Sequence, residues 1–272
     1  MRGGDAATGD KRGRLPAAGA ARSASFVRET RFALAPHVFA CVDDSHVVLL
    51  DLKRDEYYAL DLSVTRGLAT VVPGWPDGGL AARRPGGIDH VRQAVAGDPI
   101  LVAESLLLHG LLVKPPSAGK RMHPPHVLRA EDDLQTEAVG VTRVGFFDLA
   151  QVARAALVAA LLLRCYPLER IVRRILSRKR RSTATRPEHV RLARLIGRFE
   201  RLRPLFFFPA RERCLLDSLA LLEFLAGHDI HPDWVFGVRT RPFAAHCWVQ
   251  FGHSVCNDSV ERVCRFTPIL VA

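Results

Sequence analysis

Cys214, the first residue of an apolar run with helical spacing, constrains this chain more than any other residue. His246 follows it by 32 residues in a strand-like segment, and Asp258 follows His246 by 12. A cysteine is a nucleophile only as its thiolate, and both a helix N-terminus and a nearby imidazolium lower its pKa. A carboxylate that accepts a hydrogen bond from the imidazole fixes the tautomer of that base. The residues therefore predict a triad of Cys214 as nucleophile, His246 as base and Asp258 as orienting group.

Strand periodicity around His246 assigns the neighbouring side chains to faces. It places His246, Trp248 and Gln250 on one face and Cys247 on the other. Free cysteines are commonly small buried hydrophobic residues, so we interpret every cysteine except Cys214 as a packing residue. These are Cys41, Cys165, Cys247, Cys256 and Cys264. Their spacing does not fit a zinc site, and no metal is predicted.

The oxyanion hole of such a site is only partly defined by the sequence. Residues 206–213, directly before the nucleophile, contain no glutamine that could act as a donor. The backbone N–H of Cys214 is one candidate donor, and Trp248 or a backbone group is the candidate for the second.

Composition and periodicity divide the chain into four segments. Residues 1–27 are small, polar and basic, which is typical of a disordered tail. Residues 28–114 contain three or four short strands and three helices, enough for a small domain. A Pro-rich linker occupies 115–138, and a second domain, 139–272, begins with helices and ends with strands. Together they predict the α+β class.

The individual elements are predicted from local pattern and cap residues. In the first domain the strands are Phe32–Leu34, Val38–Val42, Val47–Leu52, Glu56–Leu60 and Leu111–Lys114, and the helices start at Leu62, Ile88 and Ile100. In the second domain the helices are Asp148–Leu163, Leu168–Leu176, one that starts at Thr185 and Cys214–Ala226, and the strands are Trp234–Arg239, Ala244–Phe251 and Ser254–Asn257.

Positive charge is concentrated in one stretch. Residues 164–203 carry 14 Lys and Arg and three acidic residues, and this excess equals the net charge of +11 of the whole chain. The stretch is either a docking surface for an acidic partner or a solvated face. A nucleic-acid binder is the chief alternative. Against it, the first domain is not basic and has no recognition helix with clustered Arg, Asn or Gln, so we expect no nucleic acid partner.

The location of the protein is predicted from two sequence features. The first 25 residues lack the apolar core of a secretory signal. The longest apolar run, Ala155–Leu163, is shorter than the roughly 20 residues that span a bilayer. We therefore expect a cytoplasmic protein with reduced thiols and no membrane span.

Residues 211–272 resemble the leader peptidases of lasso-peptide biosynthesis, which are transglutaminase-like cysteine proteases. The shared pattern reads Cys214-Leu-Leu-Asp-Ser218, Pro242-Phe-Ala-Ala-His246-Cys-Trp248, Asn257-Asp258 and Phe266-Thr-Pro268. The resemblance implies a transglutaminase- or papain-like α+β protease domain. It also implies that Cys214 attacks the carbonyl at the end of the leader, that His246 transfers the proton and that Asp258 orients His246.

Residues 28–114 are similar to the winged-helix-like, PqqD-like domains, of three strands plus three helices, that recognise precursor peptides. The similar segments are Val47-Val-Leu-Leu-Asp51-Leu and Tyr57-Tyr58-Ala-Leu60-Asp61. The resemblance implies that the leader adds as a strand beside Glu56–Leu60 and packs against the helix Ile100–Leu108. The leader-binding residues it implies are Glu56, Tyr57, Tyr58, Leu60, Ile100, Leu101 and Glu104. Alternatively, Tyr58 and Leu60 simply fill the core.

The sequence therefore predicts a cysteine endopeptidase that binds the leader of a lasso precursor and cuts it from the core peptide before macrocyclisation. The implied partners are that precursor and an ATP-dependent, asparagine-synthetase-like lasso cyclase. No cofactor is bound directly, and ATP is required only together with the cyclase. Two alternatives stay open: an acyltransferase or transglutaminase with the same triad, and a basic winged-helix nucleic-acid-binding protein.

Overall fold

The computed structural model of the chain describes residues 31–76, 98–134, 144–181, 189–206 and 214–272. The predicted disordered tail lies outside these ranges. So do the predicted helix that starts at Ile88, the predicted helix start at Thr185 and the last four residues of the predicted linker.

The first part of the chain is built on a three-stranded antiparallel sheet. Its strands are β2 (Val38–Asp43), β3 (His46–Asp51) and β4 (Glu56–Asp61), in that order, and β1 (Ala33–Leu34) pairs separately with β5 (Leu112–Val113). Asp44 and Asp55 turn the chain between the strands with φ angles of 49° and 57°. Aspartate tolerates this left-handed region better than most residues, which explains the two tight turns.

Two aspartates start the helices of this part. Asp61 accepts a hydrogen bond from the backbone N–H of Ser63 at the start of α1 (Leu62–Thr65), which continues as a 3₁₀ turn. Asp98 accepts from the N–H of Ile100 at the start of α2 (Pro99–Leu108), whose first residue is proline. An Asp cap followed by Pro in the first turn is a strong helix start, as the sequence predicts.

The second part places four helices on one side of a mixed sheet. The helices are α3 (Phe146–Cys165), α4 (Leu168–Arg181), α5 (His189–Phe206) and α6 (Cys214–Ala226). The sheet order is β10 (Thr267–Val271), β7 (Asp233–Thr240), β8 (Phe243–Phe251), β9 (Ser254–Val255) and β6 (Asp132–Asp133). α6 packs between α3 and β8, and a short helix α7 (Val260–Val263) precedes β10. The predicted α+β class is confirmed.

Two strands of this sheet have no counterpart among the predicted elements. β6 comes from the predicted linker and pairs in parallel with β9, although its two aspartates have low strand propensity. β10 contains Pro268, which cannot donate to a ladder and is tolerated because β10 is the edge strand. Both strands form through pairing with residues distant in sequence, which local patterns do not report.

The hydrophobic core of the second part extends into the sheet of the first part. Val48 and Leu50 of β3 pack with the α6 core of the second part, whereas Val47 and Leu49 pack into the core of the first part. β3 is therefore buried on both faces, which explains its uninterrupted apolar sequence. The junction is also hydrogen-bonded. The carboxylate of Asp43 accepts from the Thr240 N–H at 2.7 Å, the Thr240 hydroxyl at 2.8 Å and the Thr267 hydroxyl at 2.6 Å.

The helix α3 corrects the sequence argument about membrane spans. The nine-residue apolar run underestimates this helix, which has 20 residues and is long and apolar enough to cross a membrane by length and composition. Val152, Ala155, Ala159 and Leu162 of α3 are buried in the protein core. The length of α3 therefore gives no support to the expectation that the chain has no membrane span.

Much of the positive charge of α4 is matched by carboxylates of the same fold. Arg178 forms a two-pronged ion pair with Glu223 of α6 at 2.9 and 3.0 Å, and Arg174 lies 3.9 Å from the same carboxylate. Lys179 pairs with Asp233 at the start of β7. Glu223 is only 4% exposed, so it depends on these partners for its charge.

Replacing Glu223 with alanine tests this ion pair. Removing one partner of a buried pair leaves the other without compensation, and we expect a loss of about 3 kcal/mol in the free energy of unfolding. The matched control is Glu261→Ala, which removes the exposed pair with Arg265 and should cost less than about 1 kcal/mol. Urea unfolding followed by circular dichroism measures both. Equal small losses would contradict a structural role for the Glu223 pair.

Candidate active site

The nucleophile candidate Cys214 stands at the first residue of α6. The helix is almost wholly apolar and most of it is buried, so its position is fixed by packing against α3 and β8. Backbone N–H groups in the first turn of a helix lack helical partners, and the helix dipole is positive there. The half-buried thiol of Cys214 is therefore held where a negative charge on sulfur is favoured.

The base candidate His246 lies on β8 and is 7% exposed. Its Nε2 lies 2.5 Å from Oδ2 of Asp258, and Oδ1 of Asp258 accepts from the backbone N–H of Ser259 at 2.8 Å. Because Nε2 is engaged by Asp258, Nδ1 is the ring nitrogen left to interact with the Cys214 thiol. The structure therefore brings the three predicted triad residues together, with a hydrogen bond between His246 and Asp258.

The predicted face of β8 is confirmed and frames the imidazole. The ring of Trp248 stacks against His246 with centroids 6.1 Å apart, and Phe266 covers it at 5.2 Å. The indole N–H of Trp248 donates to Gln250 at 3.1 Å. This donor is already used inside the protein, which argues against Trp248 as the second oxyanion donor.

The electrostatics of the site favour a thiolate–imidazolium pair. A hydrogen bond from Cys247, aided by one from His246, outweighs the effect of burial and lowers the pKa of Cys214 to about 4. Burial lowers the pKa of His246, but its hydrogen bonds with Asp258 and Cys214 outweigh burial and raise it to about 9. Burial also opposes ionisation of Asp258, yet the hydrogen bond with His246 keeps its pKa below the usual value. The pair is therefore ionised between about pH 4 and 9.

A second layer of polar groups holds the first turn of α6. The hydroxyl of Ser218 donates to the Cys214 carbonyl oxygen at 2.7 Å and accepts from the Trp234 indole N–H at 2.8 Å. The sulfur of Cys247 lies 3.3 Å from the same hydroxyl. Cys247 lies on the face of β8 opposite His246, as predicted. The face that carries Cys247 is the one that packs against Cys214 and α6. The role of Cys247 is therefore not packing alone.

A buried network ties the carboxylate of the triad to the nucleophile helix. Asp217, one turn after Cys214, forms an ion pair with Arg203 Nε at 2.7 Å. Asn257 Nδ2 donates to Asp217 at 3.3 Å, and Asn257 Oδ1 accepts from the Val249 N–H at 2.8 Å. Because Asn257 directly precedes Asp258, this network fixes the turn that carries Asp258 relative to α6.

Sequence reasoning did not assign roles to these network residues. Asp217 and Ser218 are polar residues inside an otherwise apolar helix, and that contrast is a signal that could have marked them. Arg203 could not be distinguished by sequence from the other arginines of residues 164–203. Asn257 was noted only as part of the shared pattern.

The remaining cysteines divide into two groups. Cys41 and Cys256 are buried, as expected of packing residues, and burial raises the pKa of each thiol to about 12. Cys165 and Cys264 are exposed, so their interpretation as packing residues is wrong. Cys165 ends α3 and Cys264 ends α7, positions where the chain leaves the core. Among the described residues, no group of three His, Cys, Asp or Glu side chains could hold a metal ion.

The residues implied in leader binding lie on β4 and α2. Leu101 of α2 is 65% exposed and Glu104 is exposed, whereas Ile100 is half-buried. Arg54, in the turn before β4, donates to the His109 carbonyl oxygen at the end of α2 and so joins the two elements.

On β4 itself, Glu56 is exposed and accepts from the Tyr58 hydroxyl. Tyr58 and Leu60 pack against the core of the first part, as their alternative interpretation requires. Tyr57 instead packs against the core of the second part. Among the described residues, the outer edge of β4 has no strand partner.

The ionisation of Cys214 can be tested by alkylation in a variant without the exposed thiols Cys165 and Cys264. Between pH 6 and 8 the thiolate fraction of an ordinary cysteine rises roughly 75-fold. The pKa of Cys214 lies below this pH window and the pKa of His246 lies above it. The rate at which iodoacetamide alkylates Cys214 should therefore be nearly constant between pH 6 and 8. In His246→Ala a steep rise with pH should return. A wild-type rate that rises as steeply would contradict the ion pair.

Comparisons with known proteins agree with this geometry. Residues 153–271 match the family model of the transglutaminase-like superfamily, a range that includes α6, β8 and all three triad candidates. The chain is also similar to the microcin J25-processing protein McjB of Escherichia coli, with 46% identity over 46 residues. That match covers 17% of this chain and 22% of McjB. No solved structure matches the chain. Residues 153–271 are therefore similar to transglutaminase-like domains.

Proposed function

We propose that the protein is a cysteine endopeptidase that cuts the leader from a lasso-peptide precursor, with Cys214, His246 and Asp258 as its triad. The observation that carries this proposal is the hydrogen bond between Asp258 and His246, together with the thiol of Cys214 at a helix N-terminus. The similarity to a microcin J25-processing protein supports the choice of substrate.

In the first half of the reaction, the Cys214 thiolate attacks the last carbonyl carbon of the leader. The backbone N–H of Cys214 donates to the oxyanion that forms. The His246 imidazolium then gives its proton to the amide nitrogen as the carbon–nitrogen bond breaks. The core peptide leaves with a free amino group, and the leader remains as a thioester on Cys214.

In the second half, neutral His246 takes a proton from water while the water oxygen attacks the thioester carbonyl. The carbon–sulfur bond breaks, the leader leaves as a carboxylic acid, and the thiolate–imidazolium pair is restored. Asp258 stays ionised and keeps the imidazole in the required orientation. If an amine replaces water in this half, the same triad performs acyl transfer, which is the alternative function.

The first part of the chain supplies recognition in this proposal. Among the residues that the structure describes, the outer edge of β4 has no strand partner, and α2 offers an exposed apolar side chain at Leu101. An extended leader would add to β4 and lie against α2, with Glu56, Tyr58, Leu60, Ile100 and Glu104 around it.

The partners and location follow from the same proposal. The released core peptide passes to an ATP-dependent, asparagine-synthetase-like lasso cyclase, which uses the ATP, and the reaction takes place in the cytoplasm. A nucleic-acid partner is less well supported because carboxylates of the fold pair with many of the basic residues in 164–203. These are Arg173, Arg174, Arg178, Lys179, Arg198 and Arg203.

The proposal is tested by mixing the protein with its precursor, the cyclase and ATP, and weighing the products. We expect free leader and core peptide from the wild type and none from Cys214→Ala, because the thioester cannot form. Asp258→Asn should lower the rate at least about a hundredfold, since the imidazole loses its orienting group. Cys165→Ala, which removes an exposed thiol far along the chain from the triad, is the matched control and should retain activity.

The products distinguish the two reaction types. A species in which the leader is joined to an amine indicates transfer. Unchanged leader removal by Cys214→Ala would exclude the triad.

Proline substitutions along β4 test recognition separately. Alternate residues of a strand direct their N–H groups to opposite edges, so a scan of residues 56–60 should give two classes. Substitutions on the outer edge should weaken binding of a labelled leader at least about tenfold, because a backbone donor is lost. Those facing β3 should mainly lower stability. Charge reversal by Glu56→Lys should also weaken binding. Anisotropy measures the affinity, and an unchanged value throughout would refute the edge-strand model.

A further inference from the structure

Tyr57 and Tyr58 are neighbours on β4 with different surroundings. Tyr58 packs against the core of the first part, and its hydroxyl donates to Glu56 at 2.5 Å. Tyr57 packs against the core that contains α6, and its ring centroid lies 5.9 Å from that of Phe243 in an edge-on arrangement. The strand that faces the leader therefore contacts the protease domain through Tyr57.

Phe243 connects this contact to the catalytic base. It is the first residue of β8, three residues before His246, which corresponds to about 10 Å along a strand. The ring is 52% exposed. β9 pairs with β8 at Gln250 and Phe251, and Cys256 and Asn257 then bond to the backbone of Val249, so within the described residues only the start of β8, residues 243–246, has an edge without such a partner. An extended peptide can therefore lie along this edge.

Tyr57 packs against the same core as the nucleophile, since Cys214 and Tyr57 are both partly buried against it. Burial raises the pKa of Tyr57, and the carboxylate of Asp55 raises it further, followed by the thiols of Cys247 and Cys214.

The relative position of these groups is fixed by the junction of the two parts. Asp43 holds Thr240 and Thr267, and Arg241, directly after β7, donates to Ser45 in the turn between β2 and β3. Tyr57 thus reaches the active site from a strand that cannot slide relative to β8.

We propose that Tyr57 and Phe243 form a substrate subsite that binds a large apolar side chain of the precursor close to the scissile bond. The proposal rests on the proposed function, in which the precursor is the substrate. It moves Tyr57 from the leader-recognition groove, where the sequence places it, to the cleavage site. The exposed ring of Phe243 lies on the face of β8 that also carries Cys247, next to the unpartnered start of the strand within the described residues, and so gives a peptide both an apolar contact and backbone partners.

The subsite also sets the direction of the bound peptide. Tyr57 lies near the N-terminal end of β4, and in this proposal it contacts the precursor beside the cut. The leader is cut at its own C-terminal end, so a leader on β4 reaches Cys214 only when it runs antiparallel to that strand.

A double-mutant cycle between enzyme and precursor tests the subsite. Each residue just before the cut is replaced in turn by alanine, and kcat/KM is measured with wild type and Phe243→Ala. At one position, replacement by alanine should lower kcat/KM about tenfold with the wild-type enzyme. With Phe243→Ala the same replacement should cause no further loss of kcat/KM, because the contact is already absent. Affinity for the isolated leader should stay within about twofold of wild type, since β4 is intact.

Three variants serve as controls. Tyr57→Phe keeps the ring and should retain the coupling between Phe243 and that substrate position, whereas Tyr57→Ala should lose this coupling as Phe243→Ala does. Leu157→Ala removes an apolar side chain of α3 that is exposed to a similar degree and should have no effect on cleavage. Phe243 is half-exposed at the start of a strand, so its loss leaves the buried core unchanged and the test does not depend on a destabilised protein.

The outcomes separate this inference from the proposed function. If the wild type cleaves the precursor but the effect of every substrate substitution on kcat/KM adds to that of Phe243→Ala, the proposed subsite is wrong and the proposed peptidase activity stands. If the wild type does not cleave the precursor, the peptidase proposal itself fails. Photo-crosslinking from successive precursor positions gives the direction. Positions nearer the cut should label Tyr57 and more distant ones should label the Leu60 end of β4, and the reverse order overturns the antiparallel arrangement.

Discussion

The buried carboxylate of Asp217 holds together the elements on which the candidate active site depends. It forms an ion pair with Arg203 of α5 and accepts a hydrogen bond from Asn257 beside Asp258, and it lies one turn into the helix that Cys214 begins. Burial raises the pKa of Asp217, while the guanidinium of Arg203 opposes that effect and favours the charged form. A buried ion pair contributes little net stability, but it enforces one geometry because any other arrangement leaves a charge without a partner. Here the enforced geometry is the placement of the Asp258 turn relative to the nucleophile.

The triad residues could be selected from the sequence because each is marked by a local pattern. Cys214 begins an apolar helix, His246 lies in a segment of strand periodicity, and Asp258 directly follows a strand. The structure brings these three side chains together. The network that positions them could not be selected, because the partners of Asp217 come from a different helix and from a turn 40 residues later. The same reason applies to β6 and β10, whose strand character arises from pairing across the sheet.

Net charge shows why composition alone can mislead. The excess of arginine and lysine in residues 164–203 suggests an external partner, and the sequence leaves a docking surface and a solvated face as equal interpretations. In the structure, Arg178 and Lys179 instead anchor α4 to Glu223 and Asp233, and Arg198 joins α5 to Asp148 of α3. The carboxylates that match them are distributed over three other elements, so a count within one stretch of sequence cannot find them. Part of the basic stretch is therefore a means of helix packing.

The contact between the two parts bears on the proposed recognition and cleavage by one chain. Two domains joined by a flexible linker would raise the effective concentration of the scissile bond but leave its direction of approach free. Here Val48 and Leu50 of the first-part sheet are buried in the core of the second part, and burying such side chains contributes about 1.5–3 kcal/mol each. Separating the sheets would also break the three hydrogen bonds that Asp43 accepts. The position of β4 relative to the second part is consequently fixed. In the proposed function, a leader bound on β4 would meet the Cys214 thiol with an orientation that the fold sets.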